Sequence, residues 1–168
     1  MNFFWLDASG LIKRYAAELG TPLVNRLFSQ VDQSRLMFML EGIGEVFSAL
    51  VRKRNAGTLS TLLFHQAMNN FRAEFINNPA IEKAHPTRQQ VRDSWYLIER
   101  HSLNSTDAVI LCCALDKATE LRAFGHNIVL VSADARLLKS AKAEMLITFN
   151  PETDSQAALD ALITPPVN

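Results

Sequence analysis

"NIVLVSADARLLKSAKAEMLITFNPE", residues 127–152, says most about the architecture of this chain. Ile128 to Val131 are four consecutive β-favouring apolar residues, so this strand reads as buried on both faces. Asp134 to Glu144 reads as a helix, "MLITF" (145–149) as a second short strand and "NPE" (150–152) as a turn. Strands that alternate with helices predict a parallel sheet with helices on both sides, an α/β sandwich.

The same alternation extends toward the N-terminus. Phe3 to Leu6 form an apolar run, a turn Asp-Ala-Ser-Gly follows, and Leu11 to Glu18 is amphipathic. Thr21-Pro22 reads as an N-cap and first helical position, opening a helix to about Gln33. "RLMFML" (35–40) is a second strand, Glu41 to Asn55 a helix stopped by Gly57, and Leu59 to Phe75 another closed by "NNP". Residues 77–86 read as a loop with a short strand, Thr87 to His101 as a helix, and Asn104 to Arg122 as an apolar helix. The expected fold is therefore α/β: a three-layer α/β/α sandwich around a mainly parallel sheet of four or five strands. Residues 1–152 form one domain and 153–168 a C-terminal tail, with a small helix over Gln156 to Ile163 before a "TPPVN" stop.

Composition narrows the class. With 168 residues, 48% hydrophobic and 20% charged, the chain is long enough for a substantial core and too apolar to be disordered. Seventeen basic and 17 acidic residues cancel, which leaves room for an acidic pocket ringed by cations. Cys112 and Cys113 are adjacent within an apolar run and read as buried thiols in a reducing, cytoplasmic compartment. "MNFFWLDASG" lacks a basic n-region, and no window approaches the ~18 apolar residues of a membrane span.

In such folds all strand C-terminal ends share one edge, where ligands bind. Acids collect at that edge. Asp7 follows the first strand, Glu45 lies one turn into the helix after the second, Asp107 opens the 104–122 helix, and Asp134 follows "NIVLV". Taken singly, Asp107 and Asp134 also read as helix caps. Asp7 resists that reading, because Ser9 is the more natural cap of its helix, and Glu45 lies past its cap. If the four converge, two carboxylates ~5 Å apart repel by about 3 kcal/mol at an effective dielectric near 20. Either protons or a cation must then relieve them. Oxygen-only donors favour Mg²⁺ or Mn²⁺, and the scattered His65, His85, His101 and His126 argue against zinc.

"FWLDASGLIKRY" (4–15), "EVFSALVR" (45–52), "STDAVILCCAL" (105–115) and "VLVSADARLL" (129–138), in this order, resemble the PIN-domain ribonucleases, and among them the VapC-type toxins of toxin–antitoxin pairs. The resemblance runs to about Glu152 and implies a metal-dependent endoribonuclease whose acidic quartet is Asp7, Glu45, Asp107 and Asp134. It favours Glu45 over Glu41, because Ala49-Leu50-Val51-Arg52 follows at the family's spacing. Ser9 and Ser132 match small polar positions that orient a metal-bound water or cap helices. The resemblance further implies an RNA substrate cut to leave a 5′-phosphate, a small cognate antitoxin and a homodimer. The apolar α-helical faces Leu23, Val24, Leu27, Phe28 and Leu62, Leu63, Phe64, Phe71, Phe75 serve such an interface or the core.

Cations for the RNA backbone are expected at Lys13 and Arg14, Arg52, and Arg136 and Lys139, each just beyond an acid; Arg52 could equally reach an antitoxin carboxylate. Asp116 falls out of phase with Asp107 and is left outside the site. The haloacid-dehalogenase chemistry needs a second Asp where Ser9 stands, and "GIG" (42–44) is too short for a dinucleotide loop. The alternative is a catalytically silent PIN-like module that binds RNA or a protein partner.

Overall fold

The structure is a computed structural model that describes residues 1–164, so the expected "TPPVN" stop lies, from 165 on, outside the described residues. Its elements are β1 (Asn2–Leu6), α1 (Ala8–Leu11), α2 (Thr21–Gln30), β2 (Leu36–Met39), α3 (Gly42–Asn55), α4 (Thr61–Phe71), β3 (Glu82–Ala84), α5 (Arg88–Asp93), α6 (Trp95–His101), α7 (Ser105–Arg122), β4 (Asn127–Val131), α8 (Ala135–Ala143), β5 (Ile147–Phe149) and α9 (Gln156–Ile163). The five strands pair entirely in parallel in the order β3-β2-β1-β4-β5.

Alternation along each strand builds the two outer layers. Phe4 and Leu6, Leu36 and Phe38, and Val129 and Val131 pack on one side, with Leu11, Leu27, Leu50, Phe71 and Leu159 of α1, α2, α3, α4 and α9. Trp5, Met37, Met39, Ile128 and Leu130 pack on the other, with Leu97, Leu111 and Leu137 of α6, α7 and α8. Because both faces are covered, the central strands β1, β2 and β4 carry apolar residues at successive positions, and the uninterrupted runs in the sequence follow. The C-terminal helix belongs to the first layer: Leu159 is buried, and Arg26 of α2 clamps Asp160 through two bonds of 2.6 and 3.1 Å.

Several boundaries differ from the sequence expectation, each for a local reason. The helix expected over 11–18 starts at Ala8 and ends as a 3₁₀ turn at Arg14. Asp7 caps it, not Ser9. The cap of α2 is Gly20, whose left-handed backbone (φ 89°) fits its place against the Pro151 carbonyl, where an added Cβ would lie 2.7 Å away. Thr21 instead donates to the Lys13 carbonyl and accepts from the Glu18 amide. The helix over 87–101 breaks at Ser94, whose hydroxyl bonds back to the Val91 carbonyl and bends the chain into α5 and α6. Residues 72–76 close α4 with a π-helical turn that keeps Phe71 and Phe75 both fully buried, their rings stacked at 5.7 Å. Met145 takes a left-handed conformation (φ 62°) leaving α8, so β5 begins only at Ile147. Of the apolar helix faces, Val24, Leu27, Phe64, Phe71 and Phe75 are consumed by the core, while Leu62 and Leu63 stay exposed.

The topology positions a site. From β1 the chain steps outward to β2 and β3, then returns to place β4 on the opposite side of β1. The sheet order therefore reverses between β1 and β4, and the crevice at their C-terminal ends is where such sheets bind ligands.

Candidate active site

At that crevice the backbone of β1 runs on into α1, and the Asp7 amide still bonds the Val131 carbonyl of β4 at 2.9 Å. Gly10 is required beside it. A Cβ there would meet the Val131 carbonyl oxygen at 2.8 Å, so only glycine lets α1 lie this close to β4. This contact carries the Asp7 side chain to the mouth of β4, with Asp7 itself buried.

One oxygen of Asp7 is fully engaged and the other is not. Oδ2 accepts from the Ser9 hydroxyl (2.6 Å), the Ser132 hydroxyl (3.0 Å) and the Ser9 amide (3.2 Å). The two serines are locked in turn: Ser9 Oγ accepts from the Ala133 amide at 2.9 Å, and Ser132 Oγ from the Asp134 amide at 3.0 Å. Among the described residues no hydrogen bond reaches Oδ1, although charge-assisted donors at Oδ2 hold the carboxylate rigidly. Both serines thus orient Asp7 directly, and neither caps its helix.

The other acids arrive from three further elements. Asp134 caps α8, its Oδ1 accepting from the Arg136 and Leu137 amides at 2.8 and 3.0 Å. Asp107 lies in the first turn of α7, under the cap Asn104; its Oδ2 accepts from Asn104 Nδ2 at 2.8 Å and lies 3.5 Å from Arg136 Nη2. Glu45 lies in the first turn of α3. All four line one cavity of about 780 Å³, together with Glu41, Arg52, Lys53, Lys13, Glu18 and Glu152. Asp116 does not; it accepts from Gln90 elsewhere on α7.

Electrostatic strain marks this grouping. Burial, then the charges of Asp134 and Asp7, push the Asp107 carboxyl up to about 6, against the partial relief of Arg136. Burial, then Asp7 and Asp107, also raise Glu45, against Arg52. The acids therefore feel one another across the cavity. Even so, among the described residues no three acidic, His or Cys side chains stand close enough to hold a metal ion in their present positions. The hydrogen bonds explain the spacing. Asp134 is turned back onto its own helix, and Asp107 toward Asn104 and Arg136.

The cations divide. Arg52 lines the cavity and Arg136 reaches Asp107. Lys13, expected at the RNA backbone, is 2% exposed and paired with Glu18 (2.9 Å) and Glu152, so its charge is spent inside the fold. Arg14, also expected there, turns away to Glu74 (3.2 Å) and lies over the Phe28 ring. Lys139 sits beyond Arg136, outside the cavity. Sequence reasoning missed Lys53, Glu18 and Glu152, which form a continuous ion-pair chain with Lys13 along one wall. Glu152 belongs to the "NPE" turn, the one signal that marked that segment.

No protein-family model matches the sequence, and no curated protein sequence does. Solved structures do match. PAE2754 from Pyrobaculum aerophilum is 16% identical with a TM-score of 0.62, covering 96% of this chain and 98% of its own. VapC20 from Mycobacterium tuberculosis, a toxin that cleaves the sarcin-ricin loop, is 15% identical with a TM-score of 0.55, covering 82% of this chain and 94% of its own. At such identities the likeness is one of fold. Combined with the five parallel strands between two helical layers, it gives the chain a three-layer α/β/α, PIN-like fold that it shares with these two proteins.

Proposed function

We propose that this chain is a Mg²⁺- or Mn²⁺-dependent endoribonuclease, the toxin of a toxin–antitoxin pair, with Asp7, Glu45, Asp107 and Asp134 as its metal-holding acids. The observation that carries this reading is the meeting of four acids from four elements in one cavity at the β1–β4 crevice, close enough to raise Asp107 to about 6. The donor set is all oxygen, as a hard divalent cation prefers, and Asp7 Oδ1 accepts no hydrogen bond among the described residues, which leaves its lone pairs open to a ligand. A metal ion held there would supply Lewis acidity toward a phosphodiester oxygen and lower the pKa of a water. Rotation of Asp107 away from Arg136, and a contribution from the second oxygen of Asp134, would draw the acids together.

The chain's own residues supply the rest. Ser9 and Ser132 fix Asp7, so its other oxygen needs no reorganisation when a ligand arrives. Arg52 and Lys53 place positive charge on the α3 wall of the cavity, where a phosphodiester's non-bridging oxygens would be neutralised. Lys53 is held by Glu18, which Lys13 holds in turn. An antitoxin would silence the enzyme by presenting a carboxylate or cation to this cavity, with Arg52 as one contact. A homodimer would use the exposed Leu62 and Leu63. Among the described residues no helix is long and apolar enough to cross a membrane.

The spacing of the acids as they stand favours one other reading, a silent module that binds RNA or a partner without cutting. Calorimetric titration of Mn²⁺ into purified, partner-free chain separates the two. The nuclease reading expects binding that weakens at least tenfold in Asp107→Asn, and RNA cleavage that EDTA abolishes. Absence of Mn²⁺ binding together with absence of metal-dependent cleavage would replace it by the silent module.

A further inference from the structure

Beside the acidic cavity lies a second, smaller pocket of about 280 Å³ with the opposite charge. It is lined by Arg100, His101 and Ser102 at the end of α6 and by Arg136, Lys139 and Ser140 of α8. Two links tie it to the acids. Arg136 lines the pocket and also lies 3.5 Å from Asp107 Oδ2. Ser102 is two residues from Asn104, whose amide holds Asp107, a separation of at most about 7 Å along the chain.

Resolved charge by charge, the pocket is cationic. Arg136 and Lys139 are neighbours at i and i+3 on α8, and both are exposed. Arg100 is 60% exposed. Against these three stand Glu144, which pairs with His101 (2.7 Å) and Arg100 (3.5 Å), and Asp107 at the rim.

We infer that this pocket is a phosphate subsite for a single RNA strand, holding a phosphate next to the one in the acidic cavity through Arg100, Arg136 and Lys139. This rests on the nuclease reading for the identity of the strand, and on the geometry for its path. Arg136 stands between the two pockets: if Asp107 turned into the acid cluster, the guanidinium would be free for the phosphate. Its planar donors then suit a bidentate contact, with Lys139 and Arg100 closing around the same group. The strand thereby crosses the C-terminal edge of the sheet from the Arg52 and Lys53 wall to the end of α6.

The test uses fluorescence anisotropy with single-stranded oligoribonucleotides of 6 and 12 nucleotides, in EDTA so that no strand is cut, across a series of salt concentrations. The variant is Arg100→Gln with Lys139→Gln, and the charge-matched control is Arg88→Gln with Arg92→Gln on the exposed face of α5. Loss of this one phosphate contact lowers the slope of log K against log salt by about 0.7, which at 0.1 M salt is on the order of fivefold in affinity. The control stays near wild type. A pocket variant that keeps the wild-type slope and affinity, or that matches the control, overturns the subsite. So does a wild-type chain that binds neither oligonucleotide. Mn²⁺ titration of the same pocket variant separates the two proposals. Intact metal binding with weakened RNA binding supports the subsite, whereas absence of metal binding in wild type sinks the nuclease reading alone.

Discussion

Replacing Asp107 by asparagine removes the most strained charge of the site and should stabilise the metal-free protein. The Asp107 side chain is 14% exposed, and its carboxyl is raised from 3.8 to about 6 by burial and by Asp134 and Asp7. In the native chain it therefore takes up a proton at a higher pH than in the unfolded chain. Between about pH 4 and 6 the folded state holds more protons, so stability falls as pH rises through that window, and the whole cost is present above it. A rise of this size corresponds to about 3 kcal/mol. Asparagine keeps the acceptor for Asn104 but gives up the contact with Arg136, so a net gain of about 2 kcal/mol is expected at pH 8. For a chain of this size that is about 4–8 °C in Tm. The assay is thermal and urea unfolding in EDTA at pH 8 and pH 4.5, wild type beside Asp107→Asn. The gain should be full at pH 8 and mostly gone at pH 4.5, where the native acid is already protonated. A variant that is no more stable at pH 8, or equally favoured at both pH values, would refute the electrostatic account of the site. On the nuclease reading Mn²⁺ reverses the order, because at a hundred times its Kd the ion stabilises wild type by about 2.7 kcal/mol.

Three other outcomes test the scaffold. Gly10→Ala drives a Cβ into the Val131 carbonyl and should cost about 1–3 kcal/mol in urea unfolding, displacing Asp7; on the nuclease reading it weakens Mn²⁺ binding as well. Lys13→Met leaves Glu152 without its partner while Glu18 keeps Lys53, and should cost about 1–3 kcal/mol; adding Glu152→Gln should restore part of that loss. Burial pushes the Cys112 thiol up to about 11 and the Cys113 thiol to about 12, so neither should react with a thiol reagent at pH 8 until the chain unfolds. Fast labelling of the native protein would contradict the packing of α7.

The acids show how far a sequence reaches into a site. Asp7 and Asp134 are legible because each follows a strand whose burial is written in uninterrupted apolar residues, and a parallel sheet puts every such end on one edge. Asp107 follows from a helix start that local capping chemistry marks at Asn104, and Glu45 from the helix that follows the second apolar strand run, since α3 has no side-chain cap. Their convergence in one cavity then needs only the strand order, which the sequence left open between several arrangements. What the local pattern could not show is where each carboxylate turns. Asp107 leans to Arg136, 29 residues away, and Asp7 is gripped by Ser132, 125 residues away.

The cations were less legible for the same reason. Lys13 and Arg14 follow Asp7 in sequence and were expected at the substrate, yet Lys13 ends buried against Glu152, 139 residues on, and Arg14 against Glu74. Periodicity reports whether a side chain faces a core or solvent; it says nothing of which distant segment will bring the opposite charge. The basic pocket of α6 and α8 is likewise invisible along the chain, since Arg100 and Lys139 meet only because α6 and α8 lie on the same layer of the sheet. A parallel α/β sandwich with acids at its strand ends can be read along the chain, because burial and capping are local and periodic. Which charges pair, which stay unpaired and what track they form emerge only on folding, because they depend on contacts between segments that no local pattern encodes.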